Sequence, residues 1–263
     1  MQTLSALPVF SRLSALRFAL TLTGVLLLAA SVAQAAPTGL LNDTGQTLCA
    51  NASNVMVACD SATTGDAGTR PRQDGRFGRD VASPTKVGGG AAGFDFSKVC
   101  MNGDIAGTAS GAVGGNVTGT ASTGNCAANP TANTTASPTA TQWACTKDNV
   151  TNLIWSLESG QGDWNPYASI TLPTATNSAS RCGFSSGWRL PTLRELLGIV
   201  HNGLGLTPTI DANYFPATQR MYWTSDTWGP YPGYAWVVDF NNGAPEPENM
   251  TDTYYVRLVR SGQ

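Results

Sequence analysis

The sequence predicts an α+β domain in the C-terminal half of the chain, with a helix packed against an antiparallel sheet. Three observations lead to this prediction. A capped amphipathic helix begins after Thr192, strand-like segments follow residue 220, and all seven tryptophans lie between Trp143 and Trp236. Because aromatic side chains bury large areas, we expect the hydrophobic core in this half.

The helix is the most strongly signalled element. Thr192 is a favourable N-cap, and Glu195 stands three residues later, where it completes a capping box. Apolar residues then recur at helical spacing, at Leu193, Leu196, Leu197 and Val200. The Asn202-Gly203 pair is expected to end the helix, since glycine adopts the left-handed conformation easily.

Alternating and β-rich segments predict the sheet. Strands are expected at 221–225, at 234–240 before an Asn-Gly turn, and at 254–260. Earlier in the chain, a short strand is expected at 93–99 and a turn leading into a strand at 149–155. A short helix is expected at 175–181.

The N-terminus has the features of a secretory signal. Arg12 and Arg17 precede an apolar run at 18–30, and 33–35 has the small-residue pattern of a cleavage site. The run is too short for a stable membrane span, so we expect no membrane insertion after cleavage. The expected location is secreted, cell-surface or periplasmic.

Composition divides the remaining chain. Residues 36–99 form a loop-rich annex, and 100–140 are a low-complexity Gly/Ala/Thr insertion that cannot fold by packing alone. The domain proper is expected at 141–263.

Six cysteines, an even number, in an exported chain indicate disulfides. Sequence alone leaves all pairings open, and proximity favours Cys49–Cys59, Cys100–Cys126 and Cys145–Cys182. A zinc site is disfavoured, because the chain has no C-x-x-C pair and a single histidine, His201. No metal or cofactor is expected.

The net charge is −2, and charged residues make up 12% of the chain. This balance gives no support for a broad basic surface that would bind nucleic acid. The partners that remain are a glycan, a surface protein or a second copy of the chain.

Four motifs resemble the DUF1566 family, also called the Lcl C-terminal domain. They lie at 148–155 (DNVTNLIW), 187–196 (GWRLPTLREL), 222–225 (YWTS) and 255–260 (YVRLVR). Residues 43–47 and 77–80 resemble segments often found ahead of that domain. One departure is Asn152, where the family usually has glycine, which indicates a tolerant turn.

The resemblance implies a C-type-lectin-like fold, distantly similar to formylglycine-generating enzymes, and an exported location. The adhesin that gives the family its name binds glycosaminoglycans, so glycans are candidate ligands. That adhesin has a collagen-like stalk, and this chain has no Gly-X-Y repeat, so stalk-driven trimerisation does not carry over.

The signature around the helix entry is expected to be structural. Trp188 should pack in the core, and Arg189 should pair with a carboxylate or a helix end. Thr192 and Glu195 should cap the helix.

The expected ligand contacts lie in the loop at 226–234, between two predicted strands. Asp226, Trp228, Tyr231 and Tyr234 stand there among Gly and Pro, so aromatic faces could be presented beside polar groups. The alternative is that Trp228 and Tyr234 fold back on the sheet.

Enzymatic and calcium-dependent alternatives are disfavoured. Residues 183–187 match G-x-S-x-G, but the predicted helix does not follow the serine directly, and His201 is expected to contact the carbonyls at the end of that helix. An oxidase would need a reactive cysteine pair in the C-terminal half, which has no cysteine after Cys182. Calcium could be held by Glu246, Glu248, Asn249 and Asp252, although a solvated loop is the simpler interpretation.

The sequence thus predicts a non-enzymatic, exported binding or adhesion module. The alternative is a structural subunit of a surface assembly or filament.

Overall fold

The computed structural model describes residues 42–50, 56–58, 79, 85–107, 116–119, 124–205 and 207–262, which fall within one compact unit. The predicted signal peptide, most of the annex and Cys59 lie outside them. Within these ranges, no helix is both long enough and apolar enough to cross a membrane.

Short strands dominate the described chain, and its helices are brief. A π-helical stretch at Trp164–Thr171 leads into α1 (Leu172–Ser178), and α2 (Leu193–Leu197) follows a 3-10 turn at Arg181–Gly183. The strands are β1 (Leu48–Ala50), β2 (Met56–Ala58), β3 (Phe96–Cys100), β4 (Trp143–Asp148), β5 (Leu153–Ser156), β6 (Gly160–Gly162), β7 (Met221–Thr227), β8 (Tyr234–Asp239), β9 (Ala244–Asn249), β10 (Tyr254–Val256) and β11 (Val259–Ser261).

The described residues form three sheets. The largest has the order β6-β10-β7-β8-β9, the second has the order β11-β5-β4-β3, and β1 pairs with β2. The largest sheet is mixed, because β10 runs parallel to β7 while its other pairs are antiparallel. The α+β prediction is supported, and the expectation of a purely antiparallel sheet was wrong.

The predicted strand at 254–260 is two strands in different sheets. Its first part, β10, joins the large sheet, and β11 joins the second sheet, with Arg257 and Leu258 between them. Both connecting side chains are buried, so the chain crosses the interior at this point. The sequence pattern of buried residues therefore continues through 254–260, although the chain changes sheet within this segment.

Strand β9 was not predicted, because it contains Pro245 and Pro247. It lies at the edge of the large sheet, where proline is tolerated because its missing N–H is not needed by a neighbouring strand.

Alternation along β7 and β8 divides the core in two. Trp223 and Val237 belong to one buried cluster, and Tyr222 and Val238 belong to the other. Since successive strand residues point to opposite faces, the large sheet is buried on both sides over this region.

Helix α2 begins as predicted but ends earlier. Thr192 accepts a hydrogen bond from the Glu195 N–H, and the Glu195 carboxylate accepts from the Thr192 N–H, so the capping box is confirmed. The helix stops at Leu197, with Gly198 as its C-cap, so the expected stop at Asn202-Gly203 was wrong. The Asn202 N–H instead donates to the Thr44 carbonyl, and a Cβ on Gly203 would lie 1.8 Å from the Gly45 oxygen.

Two predicted disulfides, Cys100–Cys126 and Cys145–Cys182, are present. Cys49 is also disulfide-bonded, and its predicted partner, Cys59, lies outside the described residues. Strand β3, from the end of the annex, pairs with β4 at the start of the predicted domain, so the second sheet extends across the predicted boundaries.

Asn152, the departure from the family pattern, has a φ of 57°. Asparagine tolerates this left-handed conformation better than most residues, which explains how it replaces glycine there.

Candidate functional site

The signature residues at the helix entry form a structural clamp. The Arg189 guanidinium donates to both Glu195 oxygens, at 2.8 Å and 2.7 Å, and the Arg189 backbone pairs with Val259 of β11. Burial alone would raise the pKa of Glu195, but the hydrogen bonds from Arg189 and Thr192 outweigh it and lower that pKa. Trp188 is buried in the core, as expected.

His201 does not cap the helix. It is buried against Phe94, with ring centroids 5.3 Å apart, and neither of its ring nitrogens forms a hydrogen bond with the described residues. The interpretation that it contacts helix carbonyls was wrong. Burial lowers the pKa of His201, since the charged imidazolium would lose its hydration.

The predicted recognition loop forms an aromatic cluster at the end of the β7–β8 hairpin. The Trp228 ring lies 4.9 Å from Tyr231, 5.8 Å from Tyr234 and 6.5 Å from Trp236, between centroids. We call these four residues the hairpin cluster. Offset and edge-on contacts of this kind stabilise aromatic pairs beyond their area burial.

The hairpin cluster is partly open to solvent. Tyr231 is 58% exposed, and Trp228, Tyr234 and Trp236 are intermediate. Backbone hydrogen bonds hold the loop, from the Trp228 N–H to the Tyr234 oxygen and from the Met250 N–H to the Gly233 oxygen. The loop therefore presents aromatic side chains on an ordered backbone.

Asp226 has a different position from the other predicted contacts. One of its carboxylate oxygens accepts a hydrogen bond from the Leu193 N–H, at the first turn of α2. This contact satisfies a helix N–H that has no partner inside the helix. Asp226 thus links β7 to α2, and it stands beside the hairpin cluster rather than within it.

A groove of about 600 Å³ joins these two features. Trp236 of the hairpin cluster and Asp226 both line it. Its other lining residues come from α2, from the turn after it and from the segment before β1; they are Asn42, Asp43, Thr44, Leu193, Arg194, Leu197, Gly198, Val200 and Asn202. Its volume is typical of small-ligand sites.

Sequence reasoning missed Trp236 and the groove. A signal for Trp236 was present, since it lies two residues after Tyr234 in a predicted strand and therefore on the same face. The wall formed by 42–44 had no comparable signal, because it depends on a contact between distant segments, from Asn42 to Asp148.

The possible calcium ligands are not gathered into a site. Glu246, Glu248 and Asn249 lie in β9, and the Asn249 side chain accepts hydrogen bonds from Thr251. Burial and a hydrogen bond to Glu248 raise the pKa of Tyr254 to about 12, so Glu248 is engaged by that tyrosine. No group of three or more His, Cys, Asp or Glu in the described ranges is placed to hold a metal ion.

No curated protein matches the chain. Residues 144–260 match the family model described as the Lcl C-terminal domain. The matched segment contains α2, the hairpin cluster and most of the groove lining, and it includes the motifs at 148–155, 187–196, 222–225 and 255–260. By this match, residues 144–260 belong to the Lcl C-terminal domain family, which confirms the family that the motifs indicated.

Proposed function

We propose that the protein is an exported, non-enzymatic binding or adhesion module that recognises a glycan or a protein through the hairpin cluster. The observation that carries the proposal is the cluster itself, in which four aromatic side chains pack together at a hairpin end and stay partly exposed. Aromatic residues on an ordered loop offer large contact areas at low entropic cost.

Two features support a role without catalysis. Ser185 of the G-x-S-x-G match lies in a bend followed by extended residues up to Thr192, not directly before a helix, and His201 is buried. Cys145 and Cys182 are fully buried in a disulfide, whereas a reactive cysteine pair needs access to substrate.

The edge of the large sheet disfavours one form of the assembly alternative. Pro245 and Pro247 are two residues apart in β9, so their backbone nitrogens point to the same side of the strand. Without N–H groups, they cannot donate to an added strand. Filament growth by strand addition at this edge is therefore disfavoured.

Export and a C-type-lectin-like architecture are part of the proposal. Disulfides are typical of proteins in oxidising compartments, which supports export. The two larger sheets, with brief helices and long connections, are compatible with the lectin-like fold that the family resemblance implies.

The test is a binding screen of the oxidised protein on glycan and glycosaminoglycan arrays, with and without calcium. Tyr231→Ala removes the most exposed ring of the cluster. Ile170→Ala is the matched control, because Ile170 is 57% exposed, nearly the same as Tyr231, and lies outside the cluster.

We expect wild type and Ile170→Ala to bind alike and Tyr231→Ala to bind at least about tenfold more weakly, since aromatic interface residues often contribute more than 1 kcal/mol. Trp228→Ala should show a similar loss. Equal binding by all variants would show that the ligand does not bind at the hairpin cluster. Concentration-dependent assembly without ligand binding would instead favour the structural alternative.

A further inference from the structure

We infer that the groove between α2 and residues 42–44 is a second binding site, which takes a neutral saccharide ring. The inference rests on the proposed function, because it assigns a ligand class to the surface next to the hairpin cluster. It adds a site that the cluster alone does not provide.

The groove lining combines apolar and polar side chains. Trp236, Leu197 and Val200 supply the apolar lining. Asp226, Asn202 and Arg194 supply charged and amide groups. Sugars present apolar C–H faces together with hydroxyl groups, so a site for them needs both kinds of contact.

Several of these polar groups have no partner among the described residues. The second carboxylate oxygen of Asp226, the Trp236 indole N–H, the Asn202 side-chain amide and the Arg194 guanidinium form no hydrogen bond with the described residues. Both Asn202 and Arg194 are exposed. The free set contains donors and acceptors together, which matches hydroxyl groups because each hydroxyl both donates and accepts.

Charge favours a neutral ligand. Arg194 is the one cationic residue among the described residues of its lining, and the Asp226 carboxylate offsets its charge. A sulfated or uronic sugar would therefore find no excess of positive charge there and would lose the gain that basic sites give. A neutral hexose or N-acetylhexosamine has no such penalty.

The groove is also continuous with the hairpin cluster. Trp236 belongs to both, and its ring centroid lies 6.5 Å from that of Trp228. A chain of several sugars could place one ring over Trp236 in the groove and extend toward Tyr231. Under this inference, the two sites together take a neutral oligosaccharide rather than a single sugar.

The experiment measures binding of neutral tetrasaccharides of glucose, mannose, galactose and N-acetylglucosamine to the full oxidised protein. A heparin-derived tetrasaccharide is the anionic arm, and titration calorimetry with saturation-transfer NMR gives affinity and contact. Asn202→Ala removes an exposed groove amide. Asn241→Ala is the matched control, an exposed asparagine outside the groove.

We expect at least one neutral tetrasaccharide to bind, and Asn202→Ala to weaken it by roughly twofold to tenfold, the effect of one lost neutral hydrogen bond. Asn241→Ala should bind as wild type does, and salt should have little effect. Preference for the heparin fragment, or equal binding by Asn202→Ala, would overturn the inference.

These outcomes are separable from those of the proposed function. Sugar binding that is lost in Tyr231→Ala but unchanged in Asn202→Ala would leave the hairpin proposal standing and reject the groove. If no saccharide binds while a protein ligand depends on Tyr231, the groove inference fails and the hairpin proposal survives. If neither sugar nor protein binding depends on Tyr231, the hairpin proposal fails as well.

Discussion

Replacing Glu195 by alanine removes three hydrogen bonds at one point of the structure. The carboxylate accepts from both Arg189 nitrogens and from the Thr192 N–H, and its side chain is 8% exposed. The change therefore opens the capping box of α2 and leaves the Arg189 guanidinium without its counter-ion.

The expected cost can be worked out from these contacts. Loss of a helix cap destabilises by about 1 kcal/mol. Loss of the charged hydrogen bonds to Arg189 adds roughly 2 kcal/mol, a moderate value because the Arg189 side chain is 31% exposed. The total is about 3 kcal/mol, which corresponds to a decrease in Tm of roughly 6–12 °C for a domain of this size.

Thermal unfolding followed by circular dichroism measures this shift under oxidising conditions. Glu246→Ala is the control, since the Glu246 side chain forms no hydrogen bond or salt bridge among the described residues. A Tm for Glu195→Ala within about 2 °C of that of the control would refute the reasoning, because the clamp would then contribute little. Arg189→Ala and the double variant should show coupling, as expected for residues in direct contact.

Three further predictions concern other buried features. Burial raises the pKa of the Asp148 carboxyl from 3.8 to about 6, so the folded state binds its proton more tightly than the unfolded state does. The wild type should therefore lose stability as the pH rises from about 4 to 6. Asp148→Asn should show a smaller loss over this range, as measured by urea unfolding. Replacing Cys145 and Cys182 together by alanine should cost about 4 kcal/mol for a sequence separation of 37, measured in the same way. Gly45→Ala should destabilise the protein by at least about 2 kcal/mol more than Gly205→Ala. Both glycines have a positive φ, but only at Gly45 would an added Cβ collide with a neighbouring side chain, that of His201. Equal Tm values for the two variants would contradict this prediction.

The start of α2 was predictable because its signals are local. Thr192 and Glu195 are three residues apart, and the capping box needs nothing else. The end of the helix was not, since the chain after Leu197 is fixed by a hydrogen bond from Asn202 to Thr44, more than a hundred residues away in sequence. Tertiary contacts overrode the local stop signal.

The strands show the same division. The strands β7 and β8 were predictable from the alternation of apolar and polar residues in their sequences. The change of sheet between β10 and β11 was not, because the connecting residues Arg257 and Leu258 are buried like the strands on either side of them. Strand β9 was hidden by its prolines, which argue against a strand unless an edge position is already known.

The candidate site was predictable only in its aromatic part. The loop residues around Trp228 are close in sequence, so their clustering followed from the hairpin. The groove depends on four separate segments, and three of them, which belong to α2 with the turn after it, β7 and β8, lie within residues 144–260. Its composition could therefore not be assembled from local patterns.

This arrangement has a consequence for specificity. One wall of the groove, residues 42–44, precedes the family-matched segment and is held by the bond from Asn42 to Asp148 and by the Thr44 carbonyl. A chain with the same family segment but a different preceding region would keep Trp236 and α2 and would lose the wall formed by residues 42–44. Under the inference above, the family segment supplies the stacking surface, and the region ahead of it contributes to the shape of the site.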